Sequence, residues 1–390
     1  MRAPRRVLPV VRLVLALIAA ASLAACESVP RIPYTEEEQR IAEIPGMPPG
    51  LRAWADAPAD VFRGGLQQVL AYARRSGRPP TLLALSGGAD DGAYGAGLLN
   101  GWSKRGDRPE FTIVSGISTG ALTAPFAFLG PEYDDELKEV FTEIDGRSVF
   151  VFRGLAGFLG PGLADPAPLR AMIDKHVTDD FLRRIAAEHA KGRRLIVVST
   201  NLDAQRSVVW NMGRIAEVGT PAARKLFGDV LLASASVPAV FAPTLIEVEA
   251  NGRRFQELHV DGGATLQVFT LPNSILVSDG RSRESRGTAI YMVINNRLFP
   301  DFQVVPASTI QVAARSLSTI VKSSASQTVA QTYDFARDRR IGFNLTYIGQ
   351  DFDRPYEGPF NRAYMNDLFE YGYRRGIAGT AWQTTLPFRD

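Results

Sequence analysis

The chain has 390 residues, 45% hydrophobic and 22% charged, which is ordinary globular composition and fits one large α/β domain or two smaller ones. A core of that size needs no disulfide staple, and the single cysteine offers none. Four arginines of the formal +3 charge fall in the first 25 residues, so the remainder carries 3 − 4 = −1 and gives no charge-based case for nucleic-acid binding; no repeat of 20–50 residues points to a solenoid.

Arg2, Arg5, Arg6 and Arg12 precede or open the run "LVLALIAAASLAA", a basic region followed by an apolar one, the pattern of a secretory signal. The run is too short to span a membrane comfortably, since about 20 apolar residues are needed. It ends in "LAAC", with the only cysteine, Cys26, directly after a Leu-Ala-Ala box. This resembles the lipobox of bacterial lipoproteins. The resemblance implies cleavage before Cys26, a diacylglycerol thioether on its sulfur and an acylated amino terminus. The alternative is an ordinary signal peptide with a chance cysteine. Glu27 follows Cys26, not the aspartate of the enteric inner-membrane retention signal. The expected location is therefore the outer membrane, lipid-anchored and facing the periplasm. Residues 1–25 read as signal and 26–60 as a proline-bearing, acidic tether.

"VFRGGLQQVLAYARRSG" then has the spacing of an amphipathic helix leading into the main domain, 61–300. "TLLAL" suits a strand buried on both faces, and from Ala93 the pattern turns helical through Leu98, Leu99 and Trp102. A second strand–turn–helix unit follows at once: "FTIVSG", Ser118, "TGALTAPFAFLG". Right-handed crossovers make such strands parallel and usually adjacent, with both turns at the carboxyl edge of the sheet.

Each turn carries a motif. Gly116-Ile117-Ser118-Thr119-Gly120 has the Gly-x-Ser-x-Gly form of a nucleophile elbow, which lifts a serine clear of the backbone at the positive end of a helix. Alone the pattern is weak, because the chain has 35 glycines; its strand–turn–helix setting is what favours a nucleophile. The loop 87–92 lacks the Lys-Ser/Thr of a P-loop, and Asp90 and Asp91 would repel phosphate. Its amides suit an oxyanion hole, the alternative being a turn used only for packing. Three histidines are available as a base. His176 and His189 fall in charged helical stretches and read as surface residues. His259 stands two residues before Asp261 in "ELHVDGGA", so the segment offers a carboxylate, a glycine pair and a neighbouring histidine.

The ordered set of Gly-rich loop, Gly-x-Ser-x-Gly and Asp-Gly-Gly resembles the patatin-like phospholipases over roughly residues 81–265, and "ASASVPAVFAP" (233–243) resembles that family's intervening segment. The resemblance implies a three-layer α/β/α sandwich with a mainly parallel sheet and a Ser-Asp dyad without histidine. It makes Ser118 the nucleophile and Asp261 the base. Gly87, Gly88, Ala89 and Gly92 become the oxyanion loop, with Gly116, Gly120, Gly262 and Gly263 as supporting turn residues. It implies hydrolysis of carboxylic esters of phospholipids or acylglycerols; a non-catalytic lipid- or partner-binding lipoprotein on the same fold is the other reading. Many members carry a cation just before the last loop glycine, where this chain has Asp91 preceded by Asp90.

The rest is less informative. "VFVFRGLAGFLGPGL" (149–163) is a lid or a buried loop. Strands are expected over 195–200, 207–212 and within 288–299, a helix over 306–336, and a strand then a helix in the 301–390 extension, packed on the same domain. No metal-ligand cluster or cofactor motif is visible: the cysteine belongs to the leader boundary and the histidines are scattered.

Overall fold

The computed structural model describes residues 30–154, 160, 162–277 and 287–388. The leader 1–25 and Cys26 lie outside the described residues, as do 155–159 and 161 within the apolar 149–163 segment.

In chain order the elements are α1 (Glu36–Ile41), β1 (Arg52–Trp54), α2 (Ala59–Ser76), β2 (Thr81–Leu85), α3 (Gly92–Arg105), β3 (Ile113–Ile117) and α4 (Thr119–Leu129). Next come α5 (Asp134–Thr142), β4 (Val151–Phe152), β5 (Ala164–Asp165), α6 (Ala167–His176), α7 (Asp179–Lys191), β6 (Arg194–Asn201), β7 (Arg206–Asn211), α8 (Met212–Glu217) and α9 (Pro221–Ala235). The remainder is β8 (Thr244–Ala250), β9 (Arg253–Asp261), β10 (Ala289–Ile294), α10 (Thr309–Asp338), β11 (Gly342–Tyr347) and α11 (Arg362–Ala378).

The strands of the central sheet run β1-β7-β6-β3-β2-β10-β11, and the five from β6 to β11 are mutually parallel. The first two strand–turn–helix units thus sit side by side, with Leu82 opposite Ile113. β2 is buried at every residue and divides its side chains between the layers. Leu83 and Leu85 join the larger core with α3, α4, α9 and α11; Leu82 and Ala84 face Val329 and Phe335 of α10. This is the three-layer α/β/α arrangement.

The C-terminal extension completes the structure rather than trailing from it: β11 extends the sheet, and α11 lies directly on α3. The two helices meet backbone to backbone. A Cβ at Gly97 would stand 1.9 Å from Phe369 O, and one at Gly372 would stand 2.3 Å from Tyr94 O.

The tether expected over 26–60 is corrected from residue 30 onward. Thr35 caps α1 in a capping box, Tyr34 stacks on Phe255, and Arg31 pairs with Asp203 at 2.6 Å. β1 then pairs antiparallel with β7, Arg52 opposite Trp210. Prolines and acidic residues mask this order in the sequence, because Leu51 and Ile44 are buried core residues with no periodic pattern around them. The 149–163 segment contributes β4, which pairs antiparallel with β5 just beyond it; Val149 and Phe150 are buried and Val151 and Phe152 exposed. Among the described residues no helix is long and apolar enough to cross a membrane.

Candidate active site

One strand brings the site together. β3 pairs with β6 up to Ile117 opposite Val198, and there β3 ends. The same edge of β6 is then taken up by β9, arriving antiparallel with Asp261 opposite Ser199. Residues 118 and 261, far apart in sequence, are therefore anchored at successive positions of one backbone. Gly262 makes the junction possible: a Cβ there would stand 2.5 Å from Val198 O and 3.0 Å from Ile117 Cγ2. Ser234, at the end of α9, closes the gap. Its Oγ donates to Val198 O at 2.7 Å and accepts the Ser118 N–H at 3.0 Å.

Ser118 itself is strained. Its φ of 55° and ψ of −124° are rare for a side-chain-bearing residue, and such strain costs on the order of 1–3 kcal/mol. The turn holds it because strand and helix close on each other: a Cβ at Gly116 would stand 2.2 Å from Gly120 O, and one at Gly120 would stand 2.4 Å from Leu85 O. The serine sits at the N-cap of α4 and is 6% exposed.

The Asp261 carboxylate is buried beside it. Burial pushes this carboxyl up to about 6, against the pull of the neighbouring Ser118 hydroxyl and the Gly263 N–H. The Gly263 N–H donates to Asp261 Oδ1 at 2.7 Å. A carboxylate that is charged at neutral pH, and yet more basic than usual, is suited to accept a proton.

The glycine loop lies against this pair, with a Cβ at Gly87 only 3.2 Å from Ser118 Cβ. Its four expected oxyanion residues divide into two kinds. Gly87 N–H donates to Gln267 O at 3.0 Å, and Gly92 N–H donates to the carbonyls of Ala89 and Asp90. Gly87 and Gly92 are thus corrected as amide donors: they provide room and close the turn. The N–H groups of Gly88 and Ala89 have no partner among the described residues. Gly88 must be glycine, since a Cβ would stand 2.0 Å from Asn295 O. Ala89 adopts φ 51°, a second strained residue in the same loop.

Asp90 and Asp91 fasten this loop to the C-terminal extension. Asp90 accepts the Phe360 N–H at 2.9 Å, and Asp91 accepts the Tyr364 hydroxyl at 2.8 Å. Burial and the neighbouring Asp90 push the Asp91 carboxyl up to about 7, against the Tyr364 hydrogen bond. The place of the family's cation is occupied by a hydrogen-bonded acid that is only partly ionised at neutral pH.

The histidines are elsewhere in function. His259 is fully buried and bonds to Ser199 Oγ at 3.0 Å through Nδ1 and to Glu257 at 3.1 Å through Nε2. Burial opposes the charge on Glu257, yet Arg52 and His259 hold its carboxyl down at about 2. Trp210 Nε1 completes the chain by donating to Ser199 Oγ at 2.8 Å. Both ring nitrogens are occupied in this network. His189 is corrected from surface to buried, packed against Gly213 of α8, while His176 is half-buried.

Ser234 falls within the 233–243 segment, whereas Gln267 and Asn295 support the site without any motif to announce them. Gln267 ties the loop to the Asp261 turn, its Nε2 donating to Gly263 O at 2.9 Å. Asn295 donates to Ser86 O at 3.0 Å and accepts the Gly95 N–H at 3.1 Å, joining β10 to both ends of the loop.

No curated protein matches the chain. Among solved structures, VipD from Legionella pneumophila is similar at 14% identity and TM-score 0.40, over 79% of this chain and 68% of that one. The type III effector protein ExoU is similar at 14% identity and TM-score 0.28, over 77% of this chain; the chain spans about half of that protein, 53%. The family described as Patatin-like phospholipase matches residues 83–272, a span that begins in β2 and runs past the Asp261-Gly-Gly turn. Residues 83–272 form a domain of the patatin-like phospholipase family.

Proposed function

We propose that the protein is a serine acyl hydrolase that cleaves carboxylic esters of phospholipids or acylglycerols through a Ser118–Asp261 dyad. The observation that carries this reading is the pair itself: a strained serine anchored next to a buried, raised carboxylate, beside two amides with no partner among the described residues. Ser118 Oγ attacks the ester carbonyl while its proton passes to Asp261. The oxyanion is held by the N–H groups of Gly88 and Ala89 and by the positive end of α4. Asp261 returns the proton to the departing alcohol. A water then enters, gives its proton to Asp261 and releases the acid, and Ser118 recovers its hydrogen.

A lipid substrate is favoured by the surface next to the loop. Val151 and Phe152, 56% and 64% exposed, stand on a ribbon whose Phe150 packs on Phe360, the residue that binds Asp90. Apolar side chains so placed suit an acyl-chain interface. A diacylglycerol anchor at Cys26, after cleavage of residues 1–25, would hold the enzyme on the periplasmic side of the outer membrane.

The test is covalent labelling with a fluorophosphonate probe. An activated serine reacts; Ser118→Ala removes both the label and ester turnover while the circular dichroism stays native. A wild-type protein that resists the probe and turns over no ester would make the fold a lipid- or partner-binding scaffold instead.

A further inference from the structure

At the opposite edge of the sheet, α2 roofs a cavity of about 660 Å³. The helix buries only Val69 and Ala73. Its C-terminal half is fastened by Arg75, which donates to Lys191 O at 2.6 Å, and by Tyr72, which bonds to Glu110. Beneath it Ile113, Ile196 and Val209 of the sheet, with Phe269 from the segment after β9, form an apolar floor. Ile113 and Arg194 face each other where β3 and β6 begin, and Ser118 lies past the far end of β3, about 16 Å away at 3.3 Å per residue. The cavity is separate from the acyl site.

One end of it is cationic. Arg194 is 6% exposed, and its Nη1 donates to the carbonyls of Arg193 at 2.6 Å and His189 at 3.3 Å. Those bonds secure the turn between α7 and β6. They leave Nε buried with no partner among the described residues. That nitrogen faces the roof: a Cβ on Gly65 would stand 3.8 Å from it. Arg214 lines the same end and is in no ion pair with a carboxylate within 4 Å among the described residues. Glu217 is the carboxylate there, 3.5 Å from His189 Nε2. Two guanidiniums therefore stand against one acid. A buried, orphaned donor of this kind costs free energy unless something accepts from it.

We propose that this cavity binds a single-chain anionic amphiphile, its acid head on Arg194 and Arg214 and its alkyl chain along the apolar floor. The volume lies within the range of about 300–1,000 Å³ usual for small-molecule sites. A carboxylate or a phosphate monoester supplies the same head chemistry. The carboxylate is also the product class of the proposed hydrolysis; that link rests on the hydrolase reading, whereas the binding site does not.

The experiment titrates the full chain carrying Ser118→Ala, by calorimetry, with decanoate, decyl phosphate and neutral 1-decanol. One equivalent of acid binds, and decanol binds at least about 10-fold more weakly, the worth of one charge-assisted hydrogen bond. Arg214→Ala and Arg194→Met each weaken the acid by about 10-fold or more and leave decanol unchanged. Gly65→Leu adds a side chain at a helical position where a Cβ would meet only Arg194 Nε, at 3.8 Å, fills the cavity and abolishes binding of all three. Arg214 is exposed, so its variant folds even if Arg194→Met does not. Tighter binding of decanoate identifies a fatty acid, and tighter decyl phosphate a phosphate-headed lipid. Decanol binding equal to decanoate, or acid binding unmoved by Arg214→Ala and Gly65→Leu, overturns the proposal. Turnover of a soluble ester by the Arg214→Ala and Gly65→Leu variants in the Ser118 background equals that of the parent. A wild-type chain without ester turnover would defeat the hydrolase reading and leave these titrations standing.

Discussion

Asp261→Asn should make the protein inactive and, at neutral pH, more stable. The carboxyl of an unfolded chain titrates near 3.8, whereas burial raises it to about 6 in the fold. As pH rises from 3.8, the unfolded chain ionises first, so the wild-type fold loses stability until its own carboxyl ionises near 6. A carboxyl raised from 3.8 to about 6 on folding costs the fold about 3 kcal/mol once it is ionised. Asparagine keeps the acceptor for the Gly263 N–H and carries no charge, so its stability does not titrate there. The stability of the variant relative to wild type therefore grows by about 3 kcal/mol between about pH 3.5 and pH 7. With an unfolding entropy of about 0.8 kcal/mol/K for a chain of this size, that is about 4 °C in Tm. Paired thermal scans at the two pH values read it directly. In the same protein ester turnover falls by about 10²–10⁴-fold, the worth of a general base. A stability difference that does not change with pH, or activity within a few fold of wild type, would refute a buried, charged Asp261 as the base.

Three further expectations follow from the geometry. His259→Gln loosens a buried network and lowers stability by about 1–3 kcal/mol, yet it leaves fluorophosphonate labelling within a few fold at temperatures where the variant is folded; a loss as deep as that of Ser118→Ala would make the histidine catalytic. In wild type kcat/KM rises through about pH 6 as Asp261 ionises and declines above about pH 7 as Asp91 does. Asp91→Asn keeps an acceptor for Tyr364 and removes that decline; an unchanged alkaline limb would mean that Asp91 does not sense the reaction. Cys26→Ser moves the protein from the outer-membrane fraction to the soluble fraction or blocks its processing; recovery of wild type in inner membranes would change the address and leave the anchor intact.

What was legible in the sequence was local. A run such as "TLLAL" can only be a strand covered on both faces, and a serine between two glycines at a strand–helix turn announces its own geometry. Asp261 was visible through the Gly262-Gly263 pair behind it. What was hidden depended on partners distant in sequence. Nothing near Gly87 or Gly92 says that their N–H groups are already committed, one across the loop to Gln267 and one within its own turn. Residues 30–54 looked like linker because their few apolar side chains are spent on single contacts, not on a periodic face. His189 looked like a surface residue for the opposite reason. Its helix is charged, but the turn into β6 and the short helix α8 cover that position.

The handover on β6 has a consequence for how the protein fails. Because β3 and β9 meet on a single strand, the distance between Ser118 and Asp261 is set by a peptide spacing in the middle of the sheet. Most of the chain between Ser118 and Asp261 acts as an excursion that leaves and returns to that strand, and its surface loops can change length without moving either residue. By the same token the pair cannot melt locally. Separating the two residues means opening the amides of Val197–Asn201, which are buried at the centre of the sheet and belong to the most protected class of backbone in a fold. Heating should therefore leave the site fully assembled until the sheet itself gives way, so that the loss of labelling by an active-site probe and the loss of the whole tertiary structure are one event.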